Sequence, residues 1–262
     1  MHDIHSNPDL FLSRTIRDAR AFKLAKLPLE PTILIACFPC TGSARLVDAL
    51  HVLTGFVRTS YADAFRDSEQ NLSLPRLIDQ SHVKTVARQH VKATTRTVEL
   101  LHGFRIRPVV LVRDIHDTLA CLYEQLHQGN PMSPCICVTD EWFDLPEAAR
   151  VDSLVDFAAP WLIQCYASWR HVARNGLVET CWASSEQWTA DPRGVLRAIL
   201  AFHDIERTAE AMDAALATTA PPPAIAQPGQ GAALFSDAQK NRIRRMASHY
   251  PWADFARIGI TA

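Results

Sequence analysis

Three places in this sequence put reactive side chains where the backbone could use them. The apolar run from Ile33 to Phe38 stops at Pro39 and is followed by Cys40, Thr41, Gly42 and Ser43. Leu46, Leu50 and Leu53 then recur at helical spacing. A strand that feeds a helix through a short glycine-containing turn aims backbone N–H groups at one spot, and that spot suits a phosphate or sulfate. Many strand–turn–helix junctions bind nothing, so the turn alone does not decide. The second place is Arg113, which ends the apolar run Val109–Val112 and precedes Asp114. A guanidinium at the carboxyl edge of a parallel sheet offers a phosphate a bidentate partner. An ion pair with Asp114 or Asp117 is the structural alternative. The third is His90, at the end of the alternating stretch 82–90. A neutral imidazole can take a proton near neutral pH, although one of eleven histidines can also be a plain polar strand end. A helix N-terminus would lower the pKa of Cys40, but no base for it is visible in the sequence.

The rest of the chain must position these groups. Its 262 residues are 48% hydrophobic with a formal net charge of -1, enough for a sizeable core and too neutral for a global nucleic-acid or anionic-membrane field. Seven cysteines at irregular spacing do not suggest a disulfide framework. Cys37, Cys121 and Cys165 sit in apolar contexts and read as small core residues. Cys135 and Cys137 are too close for a zinc knuckle, and no second pair follows. The N-terminus has no apolar signal region, and no run reaches the ~18 residues of a membrane span. A reducing, cytoplasmic setting is expected, with no metal and no nucleic-acid partner.

Residues 8–27 read as an amphipathic lead-in helix. A strand at 33–38 and its helix follow, then a short strand at Phe56–Thr59 and a helix at Leu74–Asp79. Alternation at 82–90 predicts a strand, Thr94–Gly103 a helix, and Val109–Val112 a strand that leads into a helix carrying Leu119, Leu122 and Leu126. Strand–helix alternation argues for a parallel α/β sheet. Residues 128–146 read as a long lid loop. Val151–Arg174 is a long helical pattern whose Trp161, Tyr166 and Trp169 read as core. Leu177–Trp182 reads as a strand, with helices at Asp191–Phe202, Ala209–Thr218 and Ser236–Ser248. An irregular flap spans 219–235. His116 reads as a surface residue of a first helical turn.

A strand ending in Arg113, with Cys121 eight positions later in the following helix, resembles the 3′-phosphate motif of sulfotransferases that use 3′-phosphoadenosine 5′-phosphosulfate (PAPS). Four more segments fall in that family's order. Phe38 to Arg45 resembles the 5′-phosphosulfate loop, usually Phe-Pro-Lys-Ser-Gly-Thr-Thr. Residues 84–90 resemble the strand that delivers a catalytic histidine. Residues 185–192 resemble the Tyr-Glu-Asp-Leu segment, and Gly229, Gln230 and Gly231 with the tail 236–259 resemble the C-terminal flap of bacterial members. The likeness spans residues 30–260.

The resemblance implies one domain over 1–262 with a three-layer α/β/α fold around a mainly parallel sheet of P-loop type. It implies transfer of a sulfuryl group from PAPS to a hydroxyl or amine of a small-molecule or glycan acceptor. His90 would be the base. Cys40, Thr41, Gly42, Ser43, Ala44 and Arg45 would cradle the phosphosulfate, with the Thr41 and Ser43 hydroxyls taking part. Arg113 with Cys121 would hold the 3′-phosphate, and Gly229, Gln230 and Gly231 would close over it. The lid, with Met132, Cys135, Cys137, Trp142 and Phe143, and the segment 61–80 would shape the acceptor pocket. Four positions depart from the family pattern: Cys40 replaces a lysine, Cys121 a serine, Ser185 a tyrosine and Gln230 an arginine. Arg45, Lys84 and Arg88 are the cations that could stand in for the lysine. A protein of this fold with a non-catalytic binding role is the alternative.

Overall fold

The structure, a computed structural model, describes residues 27–62, 70–129, 132–219 and 229–261. The lead-in helix expected over 8–27 lies outside the described residues except for Leu27, as does most of the flap expected over 219–235. In chain order the elements are β1 (Thr32–Cys37), α1 (Ser43–Thr54), β2 (Val57–Thr59), α2 (Leu74–Asp79), β3 (Thr85–Gln89), α3 (Thr95–Gly103), β4 (Val109–Val112) and α4 (Ile115–His127). They continue with a hairpin of β5 (Met132–Ser133) and β6 (Ile136–Cys137), then α5 (Asp140–Phe143), α6 (Glu147–Ser153) and a π-helical turn at Leu154–Ala158. The chain ends with α7 (Ala159–Arg174), β7 (Cys181–Ser184), α8 (Ser185–Ala190), α9 (Pro192–Phe202), α10 (Ala209–Ala217) and α11 (Asp237–Ser248).

Five strands form one parallel sheet in the order β2-β3-β1-β4-β7. β1 is central and buried on both faces, which is why its sequence is an unbroken apolar run. The strand period of two divides that run between two cores. Leu34, Ala36 and Phe38 pack with α3, α4 and α7 residues such as Leu101, Leu119 and Leu162. Ile33, Ile35 and Cys37 pack with Leu46, Leu50, Leu196 and Ile199 of α1 and α9. Each fully buried Ile or Leu contributes roughly 1.5–3 kcal/mol. The helices after β1 and β4 therefore lie on opposite faces. The crevice between the carboxyl ends of these two strands is the switch point where open α/β sheets bind ligands.

The structure corrects several sequence expectations. The last strand is Cys181–Ser184, not Leu177–Trp182: its register is set by pairing with Val109–Val112, and Leu177 is exposed in the turn that follows α7. The helical pattern 151–174 is broken at Leu154–Ala158 and restarts at Ala159, with Pro160 in the first turn. Proline lacks the N–H that an unbroken helix would need there. The region 128–146 holds the short hairpin and α5. Its Cys135 and Trp142 are buried in the core, and the Trp142 Nε1–H donates to Ser153 Oγ at 2.7 Å. His116 is not a surface group: its side chain is 13% exposed and packs on Phe235 at 5.7 Å. Trp161, Tyr166 and Trp169 are core, as expected.

Candidate active site

The loop from Phe38 to Arg45 leaves the central strand and turns at once. Phe38 N–H still bonds Leu111 C=O at 3.1 Å, so the turn begins at Pro39. Cys40 and Gly42 both adopt left-handed backbone, with φ of 61° and 72°. For Gly42 this costs little, but for Cys40 it is a strained conformation. The Thr41 hydroxyl donates to Phe38 C=O at 3.0 Å and Thr41 is buried. The hydroxyl expected to face a ligand therefore ties the turn together instead. Helix α1 starts with no side-chain cap. Its first bond runs from Leu46 N–H to Gly42 C=O at 3.2 Å. The N–H groups of Ser43, Ala44 and Arg45 consequently have no intrahelical acceptor. Gly42 and Ala44 are exposed, so the positive end of the helix dipole is open to an anion.

Arg113 reaches into this loop from β4. Its side chain is 2% exposed, and Nη1 donates to Cys40 C=O at 2.8 Å. Nη2 lies 4.0 Å from Asp117 Oδ2. Asp117 in turn accepts from the N–H groups of Gly229 and Gly231, each at 2.7 Å. The ion pair weighed for Arg113 thus exists with Asp117. Asp114 instead caps α4 by accepting from the His116 and Asp117 N–H groups. One buried guanidinium and one buried carboxylate connect the loop, the first turn of α4 and the flap. The flap glycines give their N–H groups to Asp117. Gly231 has no substitute, because a Cβ there would sit 2.5 Å from Asp117 Cα and His116 O. Gln230 is exposed beside it.

Asp117 and Cys121 are four residues apart on α4 and share a face of it, and Arg113, just before the α4 cap, reaches Asp117 from the end of β4. Cys121 meets the Cys40 thiol. The hydrogen bond from Cys40 and the nearby Arg113 favour ionisation of Cys121 despite its burial. The same bond and burial push Cys40 well above the ordinary thiol range. Cys40 is therefore a neutral donor, not the activated nucleophile its helix-terminal position suggests.

His90 follows β3 and stands beside the end of β1. Its Nδ1 is 2.9 Å from Cys37 C=O and 3.5 Å from Cys37 Sγ. A carbonyl only accepts, so Nδ1 carries the proton and the neutral ring keeps its lone pair on Nε2. The His90 backbone N–H donates to Gln70 Oε1 at 2.7 Å. Burial works against a charge on His90, but the Cys37 thiolate and the bonds to Cys37 outweigh it and raise the imidazole above its ordinary range. Burial likewise opposes ionisation of Cys37, yet His90 lowers its pKa, with help from Ser43. Cys37, a small core residue by its sequence context, is buried and also the partner of the candidate base.

A base works only in its neutral form, so activity depending on His90 should fall as pH drops through an acid limb lying above ~6.5. Cys37→Ser keeps the size but not the ionisable thiol. It should move that limb to lower pH in a kcat/KM profile. An unmoved limb would separate the two residues.

Of the cations expected to stand in for a loop lysine, Lys84 lies just before β3, at the amino edge of the sheet and away from the loop. Arg88 is exposed on β3. Arg45 alone sits in the loop, with its guanidinium 5.3 Å from the Trp188 ring centre and its Nε–H donating to Thr219 Oγ1 at 3.2 Å. Trp188 carries no signal of this role in the sequence, because nothing in its spacing shows that α8 packs against Gly42. A cleft of about 550 Å³ adjoins these groups, lined by Asp114, Asp117, Ser184, Gln187, Gly229 and Arg257 among others. It lies outside the carboxyl ends of β4 and β7.

A parallel five-stranded sheet flanked by helices, with a loop-to-helix turn after the central strand, makes a three-layer α/β/α fold of P-loop type, the fold shared with a solved sulfotransferase. Among solved structures, mouse sulfotransferase SULT7A1 complexed with PAP superposes with a TM-score of 0.60, at 13% sequence identity over 89% of this chain and 90% of that one. No family model matches the sequence, and no curated protein matches it. Among the described residues no helix is long and apolar enough to cross a membrane.

Proposed function

We propose that the chain is a sulfotransferase that uses PAPS and acts on a hydroxyl or amine of a small-molecule or glycan acceptor. The observation that carries this reading is the meeting of two features at the end of β1: an uncapped helix N-terminus suited to an anion, and His90 held by Cys37 through Nδ1, with no hydrogen bond to Nε2 among the described residues. The fold shared with a sulfotransferase solved in complex with PAP supports the choice of nucleotide.

The residues fit such a ligand. The N–H groups of Ser43, Ala44 and Arg45, which have no acceptor within the helix, suit its charged 5′ group. The Arg113–Asp117 contact fixes the wall beside Cys121, where the 3′-phosphate would lie. Gly229, Gln230 and Gly231 form the flap edge of that wall. PAPS supplies the sulfuryl group. His90 Nε2 takes the acceptor proton as the acceptor-oxygen–sulfur bond forms and the bond from sulfur to the bridging oxygen breaks. The helix N-terminus and neighbouring cations stabilise the charge left on the departing phosphate.

Calorimetry with adenosine 3′,5′-bisphosphate tests the reading first. Saturable binding below millimolar concentration is expected, followed by sulfate transfer from PAPS in a screen of phenols, alcohols, amines and sugars. No binding at millimolar ligand would overturn it. Binding with no transfer to any acceptor class would favour a non-catalytic binding protein, the reading suggested by the neutral thiol at position 40.

A further inference from the structure

Two features of the loop are unfavourable in the protein alone. Arg45 is a cation in the first turn of α1, where the helix dipole repels positive charge. No carboxylate among the described residues pairs with it, and its polar contact there is the neutral hydroxyl of Thr219. Trp188 is 2% exposed, yet its Nε1–H has no hydrogen-bond partner among the described residues. A buried unpaired donor is costly. Both lie at the same corner. A Cβ on Gly42 would be 3.4 Å from Trp188 Cδ1 and 3.6 Å from Nε1, and the Arg45 guanidinium rests over the same indole. Side chains in a first helical turn tend to lean toward the helix N-terminus, and the contacts of Arg45 with Trp188 and Thr219 hold its guanidinium at the corner where Trp188 meets Gly42.

We propose that Arg45, seated on Trp188, is the cation that neutralises a phosphate or phosphosulfate at this helix end, and that the Trp188 indole N–H is a further donor to it. This deepens the function proposed above and rests on it for the identity of the ligand. An anion here relieves both features at once: it pairs Arg45, complements the dipole and gives Trp188 Nε1–H an acceptor. Position 40 then needs no lysine, since the charge comes from one turn further along. Trp188 orients Arg45 through the cation–π contact. The bond from Arg45 to Thr219 ties the same guanidinium to the start of the flap segment.

The test compares full-length wild type, Arg45→Gln, Trp188→Phe and Trp188→Ala in calorimetry with adenosine 3′,5′-bisphosphate and with inorganic pyrophosphate, each variant checked by circular dichroism. Arg45→Gln should weaken binding by about 10- to 100-fold, as expected for a lost charge-assisted bond. Trp188→Phe keeps the ring and loses only the donor, so about 2- to 10-fold is expected. Trp188→Ala loses the platform as well and should cost more than Trp188→Phe. In a 15N spectrum, the indole resonance that Trp188→Phe removes should move downfield on adding either ligand. Bisphosphate binding indifferent to Arg45→Gln, or an indole signal that does not shift, overturns the inference and leaves the nucleotide reading intact. Pyrophosphate binding that depends on Arg45 without any bisphosphate binding supports the inference and overturns the nucleotide reading. If neither ligand binds wild type, both fall.

Discussion

His90→Ala should reduce the turnover of sulfate transfer by roughly 10²–10⁴-fold, the usual contribution of a positioned general base, while bisphosphate affinity stays within about threefold of wild type. The split follows from where His90 stands. Its ring is held by Cys37 at the end of β1, and among the described residues it makes no bond to Arg113 or Asp117, which would flank the 3′-phosphate. The fold should survive the change, because the main ordering contact from His90 to its surroundings beyond Cys37 is its backbone N–H to Gln70, which alanine keeps. Removing the ring also removes the group that lowers the Cys37 thiol. Cys37 in the variant should therefore react more slowly with an alkylating reagent near neutral pH. A loss of turnover together with an equal loss of bisphosphate affinity would instead make His90 part of the nucleotide site.

How much of the molecule is legible in its sequence depends on the type of signal. β1 and β4 are legible because strands buried on both faces must be apolar at every position, and such runs are short and sharply ended. The turn from Cys40 to Ser43 is legible because glycine and small polar residues punctuate strand ends. The contacts between segments are not. Nothing in the spacing of Ser185, Gln187 and Trp188 says that the indole will lie under Gly42. Cys37 looks like core, and it is core, but the parallel register of β1 with β3, which pairs Ala36 with Gln89, also puts it beside His90. Register across 53 residues of chain is a tertiary property. The same holds for Asp117. Its spacing from Arg113 suggests an ion pair, while its bonds to Gly229 and Gly231 depend on where a distant flap returns. The interruption at Leu154–Ala158 is readable in principle, since Pro160 stands inside the helical pattern.

Arg113→Leu should destabilise the protein by about 3–5 kcal/mol, the range for removing one partner of a buried pair, read as a lower midpoint in urea unfolding. Two costs add. Asp117 would keep its bonds from Gly229 and Gly231 but lose its neighbouring cation while staying buried, and Cys40 C=O would lose the donor at 2.8 Å. The ion pair is long, at 4.0 Å, so the lower end of the range is the better expectation. Asp117→Asn separates these terms. In the wild-type background it strands Arg113 and leaves one carbonyl oxygen to serve two glycine N–H groups, so it should destabilise as well. In the Arg113→Leu background it removes a carboxylate that has lost its cation, and the double variant should be less destabilised than the two single losses added together. That non-additivity marks a direct pair. Nucleotide binding then shows whether Arg113 does more. If it only braces the loop, a Cys40 backbone still held in shape should bind bisphosphate about equally in Arg113→Lys, which retains a donor and a charge. If the guanidinium also grips the 3′-phosphate, Arg113→Lys loses the bidentate geometry. It should then bind adenosine 3′,5′-bisphosphate about 10-fold more weakly, while its affinity for adenosine 5′-phosphate, which lacks the 3′ group, is unchanged. Equal losses for both nucleotides would assign Arg113 to the architecture of the loop alone.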